Sequence, residues 1–478
     1  MHKKWLQIMA VDICYIISHG FASRMLLQTN LIGKLADRGV SLAIISQDSQ
    51  DEELKSISRI ENIQCQTWHS RNTIWDDNYM HKRMYYLEDI NKNTALKEKF
   101  YNGILYSKSK HPWKRIRPLY YLLIFHLIKL FPSIRAKFLQ SEERYLHSKE
   151  AIEILKKLQP KMVVSTYPVS IMEAKILHAA RQLKISTVLH LLSWDNISCK
   201  GRFPVLTDNF IAWGDVMEGE LMDYYGVSKN QIAKCGVPHF DQHIEARKTR
   251  SYPKILHELG LNPEGPYIFF AMSSPRFTPR EIEIVEWVAT AVRNNTFGAE
   301  MQLVVRPHPQ NMTSFMADHS WIGRLKRLNG DRVAIDFPQL VKSKVRWSMK
   351  HSDMVHLSAL LSGCALCLNS GSTVTIDALM HHKPVVLTSF DGHVNLPYWN
   401  SARRLIDYTH LKKILAKGGV ESVSSYKALE WAICEYVKDP SKNERLRKKT
   451  LHAYCLNDDG FSTERVVEVL TKKLNQVA

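Results

Sequence analysis

Short apolar runs alternate with segments whose apolar residues recur at helical spacing, and the alternation persists along most of the chain. WLQIMAVDICYIIS (5–18) is apolar and rich in strand formers. HGFASRMLLQTNLIGKLADRG (19–39) has helical spacing and stops at Gly39, and VSLAIIS (40–46) is a strand again. A strand, a helix and a strand in that order make a βαβ unit, which predicts a parallel sheet. PKMVVSTYP (160–168), STVLHLLSW (186–194) and NFIAWG (209–214) predict further strands, with AKILHAARQL (174–183) as a helix between them. After KCGVPHFD (234–241) the polar, basic stretch 242–266 predicts an interdomain connection, and YIFFAMSS (267–274) restarts the pattern. The expected fold class is α/β, with two Rossmann-like, doubly wound domains, 1–241 and 267–478, facing each other across a cleft.

A chain of 478 residues suits two domains, each of about 200 residues. Hydrophobic content of 45% with 23% charged residues excludes disordered and fibrous classes. No apolar run is long enough to span a bilayer, and the N-terminus enters a strand-like segment without a small-residue cleavage site, so a soluble, cytoplasmic protein is expected. The eight cysteines are scattered, which predicts reduced thiols. Cys364 and Cys367 form a CxxC within an apolar run; on a strand, positions three apart face opposite sides, which favours core packing over chelation. No Asp-x-Asp triplet occurs, and HFDQH (239–243) lacks the glutamate of a zincin, so no metal is expected.

The formal net charge of +18 asks for a partner, and its distribution is uneven. Residues 99–141 contain no acidic side chain but nine lysines and arginines, around the apolar and aromatic run PLYYLLIFHLIKLFP (118–132). An anionic membrane surface fits this segment, with Tyr120 and Tyr121 inserted and Lys114, Arg115 and Arg117 at headgroup level. A buried helix with solvated flanks is the alternative. Zinc-finger spacing, RNP-type runs and basic zippers are absent, which argues against nucleic acid.

In doubly wound sheets ligands sit outside the carboxyl ends of the strands, beside helix N-termini. That rule selects five turns. AMSSPRF (271–277) carries Ser273, Ser274 and Arg276; VRPHPQN (305–311) carries Arg306 and His308; NSGSTVT (369–375) carries Ser370, Gly371, Ser372 and Thr373. In the first half, SHGFASR (18–24) carries His19, Ser23 and Arg24, and SWDNISCKG (193–201) carries Trp194, Asp195, Asn196 and Lys200. Gly371 permits a tight turn, while Ser372 and Thr373 are placed to cap the next helix and turn hydroxyls and amides toward an anion. Asp377, one turn further on, suits a ribose. Arg306 is suited to bidentate phosphate contact, and His308 lies between two prolines that fix its backbone. Together the RPHP and SGST turns predict a diphosphate site.

RPHP (306–309), SGSTVTIDALMHHKPVV (370–386) and the late DGFSTERVVEVL (459–470) resemble the nucleotide-binding half of GT-B-fold glycosyltransferases, especially bacterial surface-polysaccharide enzymes and their CDP-glycerol glycerophosphotransferase relatives. HGFASRMLLQTNLIGKLADRG (19–39) resembles the first loop and helix of such enzymes, and SWDNISCKG (193–201) followed by 212–241 resembles the segment leading to their interdomain linker, whereas residues 50–150 carry no part of the resemblance. The resemblance implies an N-terminal acceptor-binding domain with a basic insertion at about 99–141, and a C-terminal nucleotide-donor domain. It implies transfer of a sugar from a nucleotide-activated donor to a membrane-attached cell-surface glycan or lipid-linked acceptor, on the inner face of the membrane, with no cofactor beyond the donor. His19 is the expected base and Asp195 its rival. Two departures stand out: Asp377 occupies a place where many such transferases carry Glu, and the Arg-Pro-Glu and Gly-Gly-rich signatures of UDP-GlcNAc 2-epimerases are replaced by RPHP and SGST. Alternatives are CDP-glycerol or CDP-ribitol phosphotransfer, 2-epimerase-like chemistry, and a non-enzymatic basic membrane- or nucleic-acid-binding protein.

Overall fold

The computed structural model describes residues 10–18, 20–47, 52–58, 60, 63–68, 94–105, 112–313, 318–340 and 349–477. One sheet comprises β1 (Ile13–Ile17), β2 (Leu42–Ser46), β3 (Ile63–Thr67), β4 (Met162–Ser165), β5 (Ser186–His190), β6 (Asn209–Ala212) and β7 (Ile232–Lys234), in the order β3-β2-β1-β4-β5-β6-β7. The other comprises β8 (Tyr267–Ala271), β9 (Gln302–Arg306), β10 (Val333–Ile335), β11 (Leu366–Asn369), β12 (Val385–Thr388) and β13 (Glu421–Val423), in the order β10-β9-β8-β11-β12-β13. All strand pairs are parallel. The central strands ICYII and YIFFA are buried at every position, because helices cover both faces of each sheet and leave no polar side to the strand. Strand order reverses between β1 and β4 and again between β8 and β11, so each sheet has a switch point where adjacent loops part and open a crevice.

The structure redraws several expected segments. The helix expected over 19–39 is two, Gly20–Leu27 and Leu31–Asp37, because the Thr29 hydroxyl bonds back to the Met25 carbonyl (2.7 Å) and interrupts the ladder. The strand expected to 194 ends at His190. The stretch 242–266 is largely helical, with Asp241–Thr249 and Tyr252–Glu258 packed on the helix His351–Gly363. Cys364 and Cys367 are both buried in the core, the Cys364 thiol donating to the Leu361 carbonyl.

The last helix, Ser462–Val477, returns to the first sheet although the chain has long since left it. Val466, Val467, Leu470 and Leu474 share a core with Ile13 and Ile17. The DGFSTER segment arranges this return. Asp241 accepts from the Ser462 and Thr463 amides (3.0 and 2.8 Å), and Arg465 donates to the Cys235 carbonyl (2.9 Å) while pairing with Asp459. Within the basic excursion lie the helices Thr94–Leu105, Pro112–Leu130 and Pro132–Leu146, and no described helix is long and apolar enough to cross a membrane.

Candidate functional site

The carboxyl ends of both sheets face one cleft of about 950 Å³, lined by all five turns that the strand-end rule selects. Its C-terminal wall is built on Asn369, the last residue of β11. The side chain of Asn369, and not those of Ser372 and Thr373, caps the turn: Oδ1 accepts from the Gly371 amide (2.7 Å), the Ser372 amide (3.1 Å) and the Thr375 hydroxyl (3.0 Å). Gly371 has φ 94°, and a Cβ there would stand 2.6 Å from a Leu411 methyl, so only glycine fits. The Ser370 hydroxyl bonds Glu281 and Thr388 instead of pointing outward. Glu281 is buried at the start of the helix Glu281–Arg293 and also accepts the Ser273 amide (2.6 Å). Burial pushes its carboxyl up to about 7, against the opposing effect of those hydrogen bonds.

Arg306 lines the cleft with its guanidinium already engaged. Nη1 bonds Asp336 and Nη2 bonds Asp353 (2.6 Å), all three side chains being buried. Burial alone would depress the guanidinium, but the two carboxylates more than offset it and hold it raised. The expected fork toward phosphate is therefore filled by protein, and Arg306 buttresses the turn. Among the described residues His308 has no ion pair; its Nδ1 accepts from the Gln310 amide (3.1 Å), which assigns the ring proton to Nε2, and burial lowers it to about 4, so it is neutral at pH 7. Ser274 lines the cleft with its hydroxyl buried and, among the described residues, without a hydrogen bond, and Arg276 lines it too. Asp377 accepts from His243 Nε2 (2.8 Å), while His243 Nδ1 meets the Ser358 hydroxyl (2.7 Å).

The N-terminal wall contributes two further cations, Arg24 and Lys200. Arg24, on the helix Gly20–Leu27, has a side chain 11% exposed; among the described residues its Nε and Nη2 make no hydrogen bond, and Nη2 stands 3.9 Å from an Asp377 carboxylate oxygen. Burial depresses this guanidinium, with Asp377 and Asp353 acting against the shift. A buried donor left without an acceptor costs ~1–3 kcal/mol, which an anion in the cleft would relieve. Lys200 pairs with Asp195 at 2.9 Å. Burial pushes the Asp195 carboxyl up, but Lys200 and His410 more than offset it, leaving Asp195 ionised well below the usual range and a weak base. Asn196 bonds the Ser193 amide (3.1 Å) and Asp195 (3.2 Å), and Trp194 packs edge-on to His410 with centroids 4.6 Å apart.

His19 and the side chain of Ser23 lie outside the described residues, as do the side chains of Lys114, Arg115, Arg117 and Tyr121; Tyr120 is exposed. Several residues lining the cleft or supporting its walls carried no signal in the sequence. His410 places Nδ1 3.1 Å from Cys199 Sγ and is lowered by burial to about 4. Glu98, immediately before the basic excursion, crosses to Arg404 (3.2 Å) and Tyr408 of the other half. Glu173 organises the ends of β1 and β4 by accepting from the Ser18 and Ser165 hydroxyls and the Thr166 and Tyr167 amides. These groups come from distant parts of the chain and sit in no recognisable local motif.

No protein-family model and no curated protein matches the chain. Solved structures do match over nearly its whole length. A Neisseria meningitidis UDP-GlcNAc 2-epimerase bound to UDP-GlcNAc is 12% identical, with 97% of this chain and 100% of that one covered and a TM-score of 0.53. A glycosyltransferase from Rickettsia africae is 10% identical, with 98% of each chain covered and a TM-score of 0.51. The S. aureus MnaA–UDP structure is 12% identical, with 97% of each covered and a TM-score of 0.53. The chain has the GT-B fold. At these identities the likeness is one of fold, and in this GT-B chain the turns at both switch points open into the cleft.

Proposed function

We propose that the protein is a nucleotide-sugar-dependent glycosyltransferase acting on a membrane-attached cell-surface glycan or lipid-linked acceptor. The observation that carries the reading is the buried guanidinium edge of Arg24, without a hydrogen bond among the described residues, lining the same 950 Å³ cleft as the Gly371 turn, a pocket that asks for a diphosphate. In this reading the donor diphosphate lies between Arg24 and the turns of Ser273–Ser274, His308 and Gly371–Thr373, with His308 Nε2–H as a neutral donor. Asp377, oriented by His243, receives the ribose. The acceptor oxygen bonds the anomeric carbon as the bond from that carbon to the phosphate oxygen breaks. The electron pair leaves with the nucleoside diphosphate, whose charge Arg24 stabilises, and the acceptor proton passes to a base. His19, at the end of β1, is that base by its sequence position; Asp195 and Lys200 orient the acceptor.

A thermal-shift screen against UDP, CDP and GDP tests this, because a ligand that binds only the folded protein raises Tm. One nucleotide should stabilise the wild type and lose most of its effect in Arg24→Ala. If none does, the reading fails. A CDP-specific shift would move the proposal to alditol-phosphate transfer. Epimerisation is the second reading, favoured by the 2-epimerases sharing the fold at similar TM-scores. Incubation with UDP-GlcNAc and no acceptor, followed by NMR, separates the two: a new epimer supports the second, and unchanged sugar the first.

A further inference from the structure

The basic excursion leaves the N-terminal domain as a helical hairpin, Pro112–Leu130 followed by Pro132–Leu146, turned at Phe131 with Pro132 opening the second helix. Its base is held by the second helix: Leu146 is buried in the core beside β1 and β4, and Pro132–Leu146 packs on the helix Ile171–Gln182. Its outer face is the reverse of an ordinary surface helix. Ile116, Leu119, Tyr120, Leu123 and Leu130 are exposed by 41–70%, and their spacing of three, four and seven residues puts them on one stripe. Phe131 and Ile134 continue the apolar surface around the turn, and Lys129, Arg135 and Lys137 stand exposed beside it.

We propose that this hairpin is a docking surface for an anionic lipid bilayer, lying in the interface with the Leu123–Leu130–Phe131 edge inserted and the lysines and arginines at headgroup level. Charge decides between occupants. Residues 99–141 hold nine basic and no acidic side chains, so a second copy of the same face would set like charge against like, while an anionic surface complements it. The exposed stripe is mainly aliphatic and offers few of the aromatic platforms on which nucleic-acid bases stack. Placement gives the docking a purpose. The helix Thr94–Leu105, which carries Glu98 to Arg404 and Tyr408 at the cleft wall, packs beside Pro112–Leu130, so the hairpin starts from one lip of the cleft. A bilayer on this face would present a lipid-linked acceptor at the N-terminal wall. That last step rests on the glycosyltransferase reading; the docking itself does not.

The test is co-sedimentation of the full chain with vesicles of phosphatidylcholine alone and of equimolar phosphatidylcholine and phosphatidylglycerol. Binding should be confined to the anionic vesicles and weaken with salt. Leu123→Asp with Leu130→Asp, and separately Lys129→Glu, Arg135→Glu and Lys137→Glu combined, should each lower it about tenfold or more. All these positions are exposed, so thermal unfolding and any nucleotide-induced Tm shift should stay at wild-type values, which separates failure of docking from failure of the cleft reading. Equal binding to neutral vesicles, no binding to either, or variants that bind like wild type would overturn the proposal. So would a dimer in sedimentation velocity that Leu130→Asp dissociates, or RNA that binds the wild type more tightly than the anionic vesicles.

Discussion

Arg24 and Arg306 are arginines beside strand ends on facing walls of one cleft, and the structure treats them differently. Arg306 lies between two buried carboxylates that occupy both terminal nitrogens, whereas Arg24 has a buried guanidinium with two nitrogens that make no hydrogen bond among the described residues and an Asp377 carboxylate oxygen at 3.9 Å. The strand-end rule places both at the ligand crevice, but it does not say whether the crevice or the protein satisfies the side chain. A saturated cation holds its wall together; an unsatisfied one is available to an anion.

The sharpest way to break the comparison is Arg306→Ala. Removing the cation strands Asp336 and Asp353 in the interior, so unfolding free energy in urea should fall by ~3–5 kcal/mol. A loss below about 1 kcal/mol, the range of a surface ion pair, would mean that Arg306 is not the buttress of its wall. Glu281 extends the contrast to pH. Its folded carboxyl is raised from 4.5 to about 7, so the protonated form favours the fold; the associated stability is full below pH 4.5 and is lost as pH rises through 7. Glu281→Gln should therefore flatten the pH–stability curve between those values, the difference from wild type being on the order of 3 kcal/mol. An unchanged slope would remove Glu281 as its source.

Gly371→Ala should cost ~1–3 kcal/mol through its positive φ and the approach to Leu411, and it should also weaken nucleotide binding. Unchanged Tm and affinity together would show the turn to be plastic. The smallest effect in energy is the most informative for function. Arg24→Ala should leave stability near wild type and weaken nucleotide affinity about tenfold, close to 1.4 kcal/mol, measured by calorimetry. If Arg24→Ala instead lowers stability by several kcal/mol and leaves affinity intact, the two arginines have exchanged roles.

Much of the architecture was legible because it is written in local pattern. The continuous apolar runs of β1, β8 and β9 declare strands buried on both faces, and the turns after them follow directly. Edge strands were not legible. β3 reads IQCQT, and β7, β10 and β13 are three residues each, too short or too polar to show a period. The connection 242–266 hid its helices because its apolar residues are few and pack on a helix a hundred residues away.

The sequence by itself determined the two doubly wound halves, the five turns at their strand ends and the basic, acid-free excursion, since each depends on neighbours within a few residues. Only the tertiary structure decided what those turns can do. The carboxylates that occupy Arg306 come from 30 and 47 residues downstream, Glu281 reaches Ser370 across 89 residues, and Glu98 meets Arg404 across 306. Whether a polar group is free or satisfied depends on partners brought from elsewhere in the fold, and local sequence pattern holds no record of them.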